Sequence, residues 1–590
     1  MKHIIGPFNR NTSRFFFLLV FSVVNLLFMH FFIYFNHYIE DILLAYEFVY
    51  NILSVFFDVS LIFLFFLIFT WKHLKVTLLL TFVTTWLWSF TNIFYARFFS
   101  QYISLSVLSQ IGNLSDQAVM NSMMAGFQYS DIFYPVILVL FIYVFRKVGI
   151  LTIKRKVFNA LLLVPLCTLM TTYLTYSTYH ILKSDTRGNT NLYLRRINGI
   201  LKCGARNSFP NKERFTSGSL RVVAWEIYDM FHVLELTQEQ KNMITKEAAD
   251  ISQRISCHEK NSSIRNVVFI VLESFLSAPI DLLIDGKEIT PFLNTLKKDS
   301  SVYYNGHVAS NITMGESGDG QFILMTGLLP LRDKLTVGEA KTLELPSFPK
   351  LLKKKYGSCY TEIVMPSPPQ VWEQTNMNKV YGIDHMYCNR DVLGEVVDYL
   401  NDEQVFTMAM KTQACQNQPF FSLVLSYSTH QPYRVPVDNS LKLCDSTLTN
   451  TYSNYLISCH YADIWIKKYI DYLKCNGVYD NTLIVITADH HAHMDALGMG
   501  NKVKKELPLF IINGNIDTVN AWKGEMNQLD IYTTLLDVLG IESAWHGLGH
   551  TILSPTYKNS LTEKAWTVSE LIVKGRYFDT NETNSSVPEK

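Results

Sequence analysis

The chain has no excess of charge of either sign. Lys and Arg number 52 against 51 Asp and Glu, a net of +1, so nothing argues for a nucleic-acid partner. It has no internal repeat and no low-complexity tract, which sets aside solenoids and tandem arrays. Its nine cysteines never fall at Cys-x-x-Cys spacing, so a zinc ribbon is not expected. No small-residue cleavage site follows the first apolar run, which favours an uncleaved anchor over a signal peptide.

What the chain does have is a sharp division. Hydrophobic residues make up 48% of the 590, and they crowd into the first 180 positions as Phe, Leu, Ile, Val and Tyr. The remainder reads as a soluble α/β protein, and the length exceeds one ordinary core. The expected organisation is a transmembrane domain over 1–180 with five spans, an extracytoplasmic linker over 181–260, a catalytic domain over 261–575 and a polar tail over 576–590.

Five apolar segments reach the roughly 20 residues that a helix needs to cross the hydrocarbon core. They are Phe15–Phe35, Tyr50–Thr70, Leu78–Ala96, Ile132–Val148 and Val157–Tyr179. Lys2, Arg10 and Arg14 precede the first, Lys72 and Lys75 separate the second and third, and Arg146, Lys147, Lys154, Arg155 and Lys156 separate the fourth and fifth. Basic residues thus gather on alternate sides, which places the N-terminus in the cytoplasm and the C-terminal domain outside. Eight cysteines fall in that exported part, where an oxidising compartment permits disulfides whose pairing the sequence does not choose. In the linker, an amphipathic run near Val222–Leu236 with Trp225, Phe231 and Leu234 suits either the membrane interface or a helix packed on the soluble domain.

Beyond Asn261, strands and helices alternate. Strands are expected at Asn266–Leu272, Cys359–Met365, Phe420–Ser426, Thr482–Ala488 and Leu507–Ile512. Helical patterns lie near Pro291–Asp299, Ser347–Lys355, Tyr452–Leu473 and Gln528–Leu539. Such alternation implies a mainly parallel sheet covered on both faces, with ligands at the carboxyl ends of the strands.

The candidate chemistry sits at those ends. Glu273 follows the apolar strand Val267–Leu272, where a carboxylate is costly unless a cation or donor meets it. Asp489-His490 ends a second such strand and offers a hard oxygen beside an imidazole, a mixture suited to a divalent metal. His491 and His493 extend the cluster. Ser317 lies in Met314-Gly-Glu-Ser-Gly-Asp-Gly320, where glycines admit close backbone approach and a following helix directs N–H groups at an anion. A serine hydroxyl on a metal becomes a competent nucleophile, and the same position suits an ordinary helix N-cap. His430, after the strand Phe420–Ser426, is placed to hydrogen-bond a phosphoryl oxygen or protonate a leaving group. His460, within a helical run, is expected to pair locally.

In order, Asn266–Ser274, Thr290–Asn294, Gly315–Phe322 with Leu328–Leu331, Ser428–Tyr433, His460–Asp463, Thr487–His490 and Gln528–Gly540 resemble the lipoteichoic acid synthase family, within the alkaline phosphatase and sulfatase superfamily. The resemblance implies a five-helix membrane domain and an exported α/β sulfatase-like domain at a bacterial cell membrane. It implies one divalent ion (manganese, zinc or magnesium) held by Glu273, Asp489, His490 and the nucleophile Ser317. That hydroxyl would attack a phospholipid donor, expel diacylglycerol and pass glycerol phosphate to an envelope glycan or lipid acceptor, with His430 assisting.

This chain departs from the family at several positions. Threonine is the commoner nucleophile there. The family's Arg after Trp-x, which holds the glycerol phosphate, is replaced: Trp372-Glu373 is followed by Gln374. Pro366–Pro369 also lacks the expected His and Asn. Trp372, Gln374, His491 and His493 are the candidate substrate-binding residues, and a phosphoethanolamine transferase or a hydrolase of the same fold is the alternative. Sulfate ester cleavage is not expected, because Ser317 is followed by Gly318-Asp-Gly-Gln321 and not by x-Pro-x-Arg.

Overall fold

The computed structural model describes residues 10–37, 45–70, 73–99, 102–107, 127–148, 214–215, 218–252, 264–394, 398–413, 419–436, 441, 443, 448–493, 497–499 and 502–579. The chain divides into two compact units. One comprises residues 1–105 and 124–232, the other 106–123 and 233–590.

In the first unit, helices α1 (Arg10–His37), α2 (Ala45–Thr70), α3 (Leu74–Phe99) and α4 (Phe133–Arg146) come from the apolar segments. Among the described residues, four stretches are long and apolar enough to cross a membrane: Phe17–Asn36, Phe48–Thr70, Leu74–Arg97 and Tyr129–Arg146. They coincide with the first four expected spans, and Val157–Tyr179 lies outside the described residues. Some polar side chains inside the bundle bond back to their own helix and others reach across it, as Ser89 does to Asn25 O at 2.8 Å. Thr81 and Thr85 donate to the carbonyls of Thr77 and Thr81 at 2.8 and 3.0 Å, which lets a polar stripe sit among apolar neighbours. A further helix, α5 (Ser219–Phe231), also belongs to this unit. The amphipathic run near Val222–Leu236 is therefore helical as far as Phe231, a part that belongs to the first unit, whereas residues from Val233 belong to the second unit, where Leu236 packs on the core.

The second unit is built on an eight-stranded sheet. Its strands are β1 (Asn266–Leu272), β2 (Tyr303–Ala309), β3 (Tyr360–Val364), β4 (His385–Tyr387), β5 (Phe420–Leu425), β6 (Thr482–Ala488), β7 (Glu506–Ile512) and β8 (Met526–Asn527). Their order is β8-β2-β7-β6-β1-β5-β3-β4. Only β7 runs antiparallel to its neighbours, so the sheet is mixed and mainly parallel. β1, β5 and β6 are buried along their whole length, as unbroken apolar strands covered on both faces should be.

The five expected strands are present to within a residue or two. β2, β4 and β8 were not foreseen: β2 carries Asn305-Gly306 and a register shift that breaks its alternation, and the other two have only three and two residues. Cys359, Cys388, Cys459 and Cys475 are free thiols. Cys203, Cys257, Cys415 and Cys444 lie outside the described residues.

Candidate active site

Register brings the carboxylates together. Leu272 of β1 pairs with Ala488 of β6, and Val271 pairs with Leu425 of β5, so Glu273, Asp489 and Ser426 leave the sheet side by side. Backbone bonds extend the alignment past the strand ends, from Asp489 N to Leu272 O at 3.2 Å and from Ser426 N to Val271 O at 2.9 Å. The Ser426 hydroxyl accepts Glu273 N–H at 3.0 Å, and Gln528 Nε2 donates to Asp489 O at 2.7 Å.

Ser317 reaches the same point on helix α6 (Glu316–Thr326), which is buried from Gly318 onward. Gly315, not Ser317, is its N-cap. Asp319 Oδ2 folds back to accept N–H from Thr313 and Gly315, each at 2.9 Å, so the first turn is fixed from within. Gly320 lies so close to Asp489 that a Cβ there would stand 2.8 Å from Asp489 Cα. Only glycine allows that approach.

The polar atoms converge. Ser317 Oγ donates to Glu273 Oε2 at 3.0 Å and lies 3.3 Å from His490 Nε2. His490 Nε2 is 3.4 Å from Glu273 Oε1 and 3.7 Å from Asp489 Oδ2. Glu273, Asp489 and His490 together form a set able to hold a metal ion, their ligand atoms all within 4.8 Å of one another. Four ligands at about 2.0–2.1 Å around a tetrahedral ion sit roughly 3.3 Å apart, close to the separations here.

The charges make the same demand. Burial pushes Asp489 up to about 8, and the Glu273 charge adds to it. Burial would also raise Glu273, but the hydrogen bond and positive charge of His490 hold it below the usual carboxylate range. Burial would lower His490, yet Asp489, Glu316 and Glu273 raise it well above an ordinary imidazole. Two buried carboxylates here require a cation between them, and the proton on Nε2 fills that need. A divalent ion would meet it better and requires Nε2 free. The residues present therefore fit a divalent metal.

Glu316 was quoted within its motif but given no role by the sequence. Its backbone is left-handed (φ 41), and its Oε2 lies 3.3 Å from His490 Nδ1. His490 Nδ1 also donates to His491 O at 2.9 Å. These two acceptors hold the proton on Nδ1 and aim Nε2 at the cluster. Burial, followed by the charges of Asp319 and Glu273 against that of His490, pushes Glu316 up to about 7. Ser274 was also missed. It donates to Glu273 Oε1 at 2.7 Å, and its N–H reaches Asp489 Oδ1 at 2.9 Å. Both residues adjoin a motif residue, and that adjacency was the only signal.

The remaining candidates fall into two groups. His430 stacks on Tyr427 (centroids 4.9 Å apart), bonds through Nδ1 to Gln431 O at 2.6 Å and lies near enough for its charge to act on Glu273. The His493 ring is 6.1 Å from that of His490. Burial, then the positive charge of its neighbours, lowers His493 to about 3 and His491 to about 4. Trp372 covers the first turn of α6, its Cδ2 3.3 Å from where a Gly318 Cβ would lie. Gln374 is buried and donates to Asn378 Oδ1 at 2.8 Å, turned toward its own helix. His460 Nδ1 pairs with Ile289 O at 2.8 Å, away from the cluster.

Comparison with known proteins gives consistent matches. Residues 1–193 match the lipoteichoic acid synthase N-terminal domain, and residues 265–541 match the sulfatase family. Lipoteichoic acid synthase 2 of Bacillus subtilis is 26% identical over 83% of this chain and 76% of its own length. Lipoteichoic acid synthase of Staphylococcus saprophyticus is 25% identical over 94% and 88%. Among solved structures, the integral membrane protein lipooligosaccharide phosphoethanolamine transferase A of Neisseria meningitidis shares the fold, with a TM-score of 0.56 and 14% identity over 93% of this chain and 99% of its own.

Proposed function

Because the chain belongs to the lipoteichoic acid synthase-like family of the sulfatase and alkaline phosphatase superfamily, we propose that it is a metal-dependent phosphoglycerol transferase. The family makes it a membrane phosphotransferase of the phosphoglycerol or phosphoethanolamine type. The serine mechanism rests on one observation, the Ser317 hydroxyl pointing into the Glu273–Asp489–His490 cluster within 3.0 Å of one carboxylate, and the choice of a phosphoglycerol donor follows the lipoteichoic acid synthase relatives.

A divalent ion held by Glu273, Asp489 and His490 would supply the positive charge that favours an ionised serine and neutralises a phosphate. Ser317 Oγ, oriented by Glu273 and with its proton given up to solvent, attacks the phosphorus of the lipid headgroup. The bond from phosphorus to the diacylglycerol oxygen breaks, and His430 gives that oxygen a proton. The phosphoserine then passes glycerol phosphate to an acceptor hydroxyl on an envelope glycan or lipid, whose proton His430 takes. With five spans, the basic loops put the N-terminus in the cytoplasm and this chemistry outside.

A phosphoethanolamine donor is the second reading. It is favoured by Gln374, which puts no cation where the family holds glycerol phosphate.

The test is incubation of the full protein with headgroup-labelled phosphatidylglycerol or phosphatidylethanolamine and manganese, zinc or magnesium, following diacylglycerol. Release from phosphatidylglycerol is expected, with none after chelation or in Ser317→Ala, and with activity retained in Ser317→Thr. Unchanged turnover in Ser317→Ala would remove the proposed nucleophile.

A further inference from the structure

The segment before and within α5 runs back into the helix bundle of the first unit. Asn51 and Asp58 lie on one face of α2, seven residues and so about 10 Å apart along its axis. Asn51 Nδ2 donates to Phe215 O at 2.7 Å, and Asp58 Oδ2 accepts Ser219 N–H at 2.8 Å. Phe215 and Ser219 therefore stand at these two levels. Asp58 falls near the middle of the Phe48–Thr70 span. At the bottom stands Gly218 (φ 93), where a Cβ would meet Asp58 Oδ2 at 3.0 Å.

The helix then climbs back. Glu226, seven residues after Ser219 and again about 10 Å along the axis, pairs with Arg214 at 2.5 Å and accepts Leu105 N–H at 3.2 Å. Descent and return thus close at the same level. That level belongs to the end of the bundle where spans one and two meet: the Phe215 ring lies 5.2 Å from Tyr34 and 6.3 Å from Phe48. Asn51, Asp58, Arg214, Ser219 and Glu226 are all buried. Polar backbone and charge at this depth persist where protein groups meet them: Arg214 pairs with Glu226, and Asp58 accepts N–H from Ser219 and Leu220, while Asn51 Oδ1, Asp58 Oδ1, Arg214 Nη1 and Ser219 Oγ have no hydrogen-bond partner among the described residues.

Past Glu226, α5 carries Ile227, Tyr228, Met230 and Phe231, which are 46, 50, 68 and 78% exposed. In water such a patch would be a liability. On a helix leaving a membrane bundle it falls at the headgroup layer, where aromatic and apolar side chains are at home. We propose that Arg214–Phe215 and Gly218–Phe231 form a re-entrant element dipping to the depth of Asp58, and that its Ile227–Phe231 end is a binding surface for the phospholipid bilayer. The bilayer is the occupant because α2, to which the start of α5 is bonded through Asp58, itself exposes Val49, Ile52 and Phe56 along an apolar span.

The test uses the full chain in nanodiscs of phosphatidylcholine and phosphatidylglycerol, with the photo-crosslinker p-benzoylphenylalanine at Phe231, at Tyr228 or at Val519, a control 86% exposed on the second unit. Retained diacylglycerol release, or an unchanged melting temperature, checks folding. Lipid adducts at Phe231 and Tyr228 are expected at least tenfold above Val519, and equal yields at all three would overturn the surface. In the Phe231 probe background, Asp58→Ala should lower the adducts at least threefold, whereas Asp58→Asn, which keeps an acceptor oxygen, should retain them. Unchanged adducts in Asp58→Ala would overturn the re-entrant anchoring.

Discussion

Gly320 sets how closely the Ser317 helix approaches the strand end that bears Asp489, and replacing it with alanine tests the site more sharply than removing a ligand. The added Cβ would lie 2.8 Å from both Asp489 Cα and its carbonyl carbon, whereas carbon atoms settle at about 3.5–4.0 Å. The strand end cannot yield, since Asp489 N–H bonds Leu272 O, its carbonyl accepts from Gln528, and β6 lies inside the sheet. α6 must therefore retreat by roughly 0.7–1 Å, the gap to the near edge of that contact range.

Ser317, one turn upstream, moves with it, and its 3.0 Å contact to Glu273 opens. A misplacement of about 1 Å costs on the order of 100-fold in rate, and overpacking of this kind costs about 1–3 kcal/mol of stability. We expect Gly320→Ala to melt at lower temperature and to release diacylglycerol about 100-fold more slowly, with little change in KM. Gly318→Ala is the control. Its Cβ would meet side chains of Val337 and Trp372 at 3.2 and 3.3 Å, which can give, so a smaller loss is expected. Wild-type kcat in Gly320→Ala would refute the argument that this contact positions the hydroxyl.

Glu316→Ala removes one of the two acceptors that hold His490 Nδ1 and should weaken metal affinity about tenfold, with Glu316→Gln largely restoring it. Competition against a chelator measures this, and equal affinities in all three proteins would dismiss the role. Asp463 accepts N–H from Phe292 and Leu293 at 2.9 and 2.8 Å, yet burial outweighs those donors and raises it to about 7. The folded state thus keeps a proton that the unfolded chain gives up near pH 4, so the stability contributed by this group is lost as pH rises from about 4 to 7, by up to about 1.4 kcal/mol per unit. Melting temperatures from pH 4 to 7 should shift in favour of Asp463→Asn, and a constant difference would contradict the sign.

The sheet was legible because Asn266–Leu272 and Thr482–Ala488 are unbroken apolar runs, a pattern that only burial on both faces explains. Glu273 and Asp489-His490 stand directly after those runs, so strand ends and polar residues marked the same place. Ser317 was legible through its glycines, two of which the structure explains: a Cβ at Gly315 would strike the Asp319 carboxylate, and one at Gly320 would strike Asp489. Glu316 and Ser274 were not assigned roles because their contacts depend on left-handed backbone, φ 41 and φ 51, which a sequence pattern does not encode. The re-entrant descent was hidden for a related reason. It depends on Asp58 meeting Ser219, 161 residues away.

The stretch Trp372–Gln374 shows why a motif position is a weaker guide than a neighbour. Gln374 falls where the resemblance leads one to expect an arginine, but Trp372 and Glu373 just before it are both left-handed, at φ 51 and φ 55, and they turn the chain as it enters the next helix. The Gln374 amide consequently lies in the protein interior against Asn378, while Glu373 is tied to Lys341 at 2.8 Å. Of the three residues, Trp372 is the one that shares a surface with the nucleophile's helix, against Gly318. Because Trp372 lies against Gly318, the residue after Ser317, and an indole can sort ligands by shape and by the charge it attracts, substitution of Trp372 should alter the preference between phosphatidylglycerol and phosphatidylethanolamine more than substitution of Gln374 does.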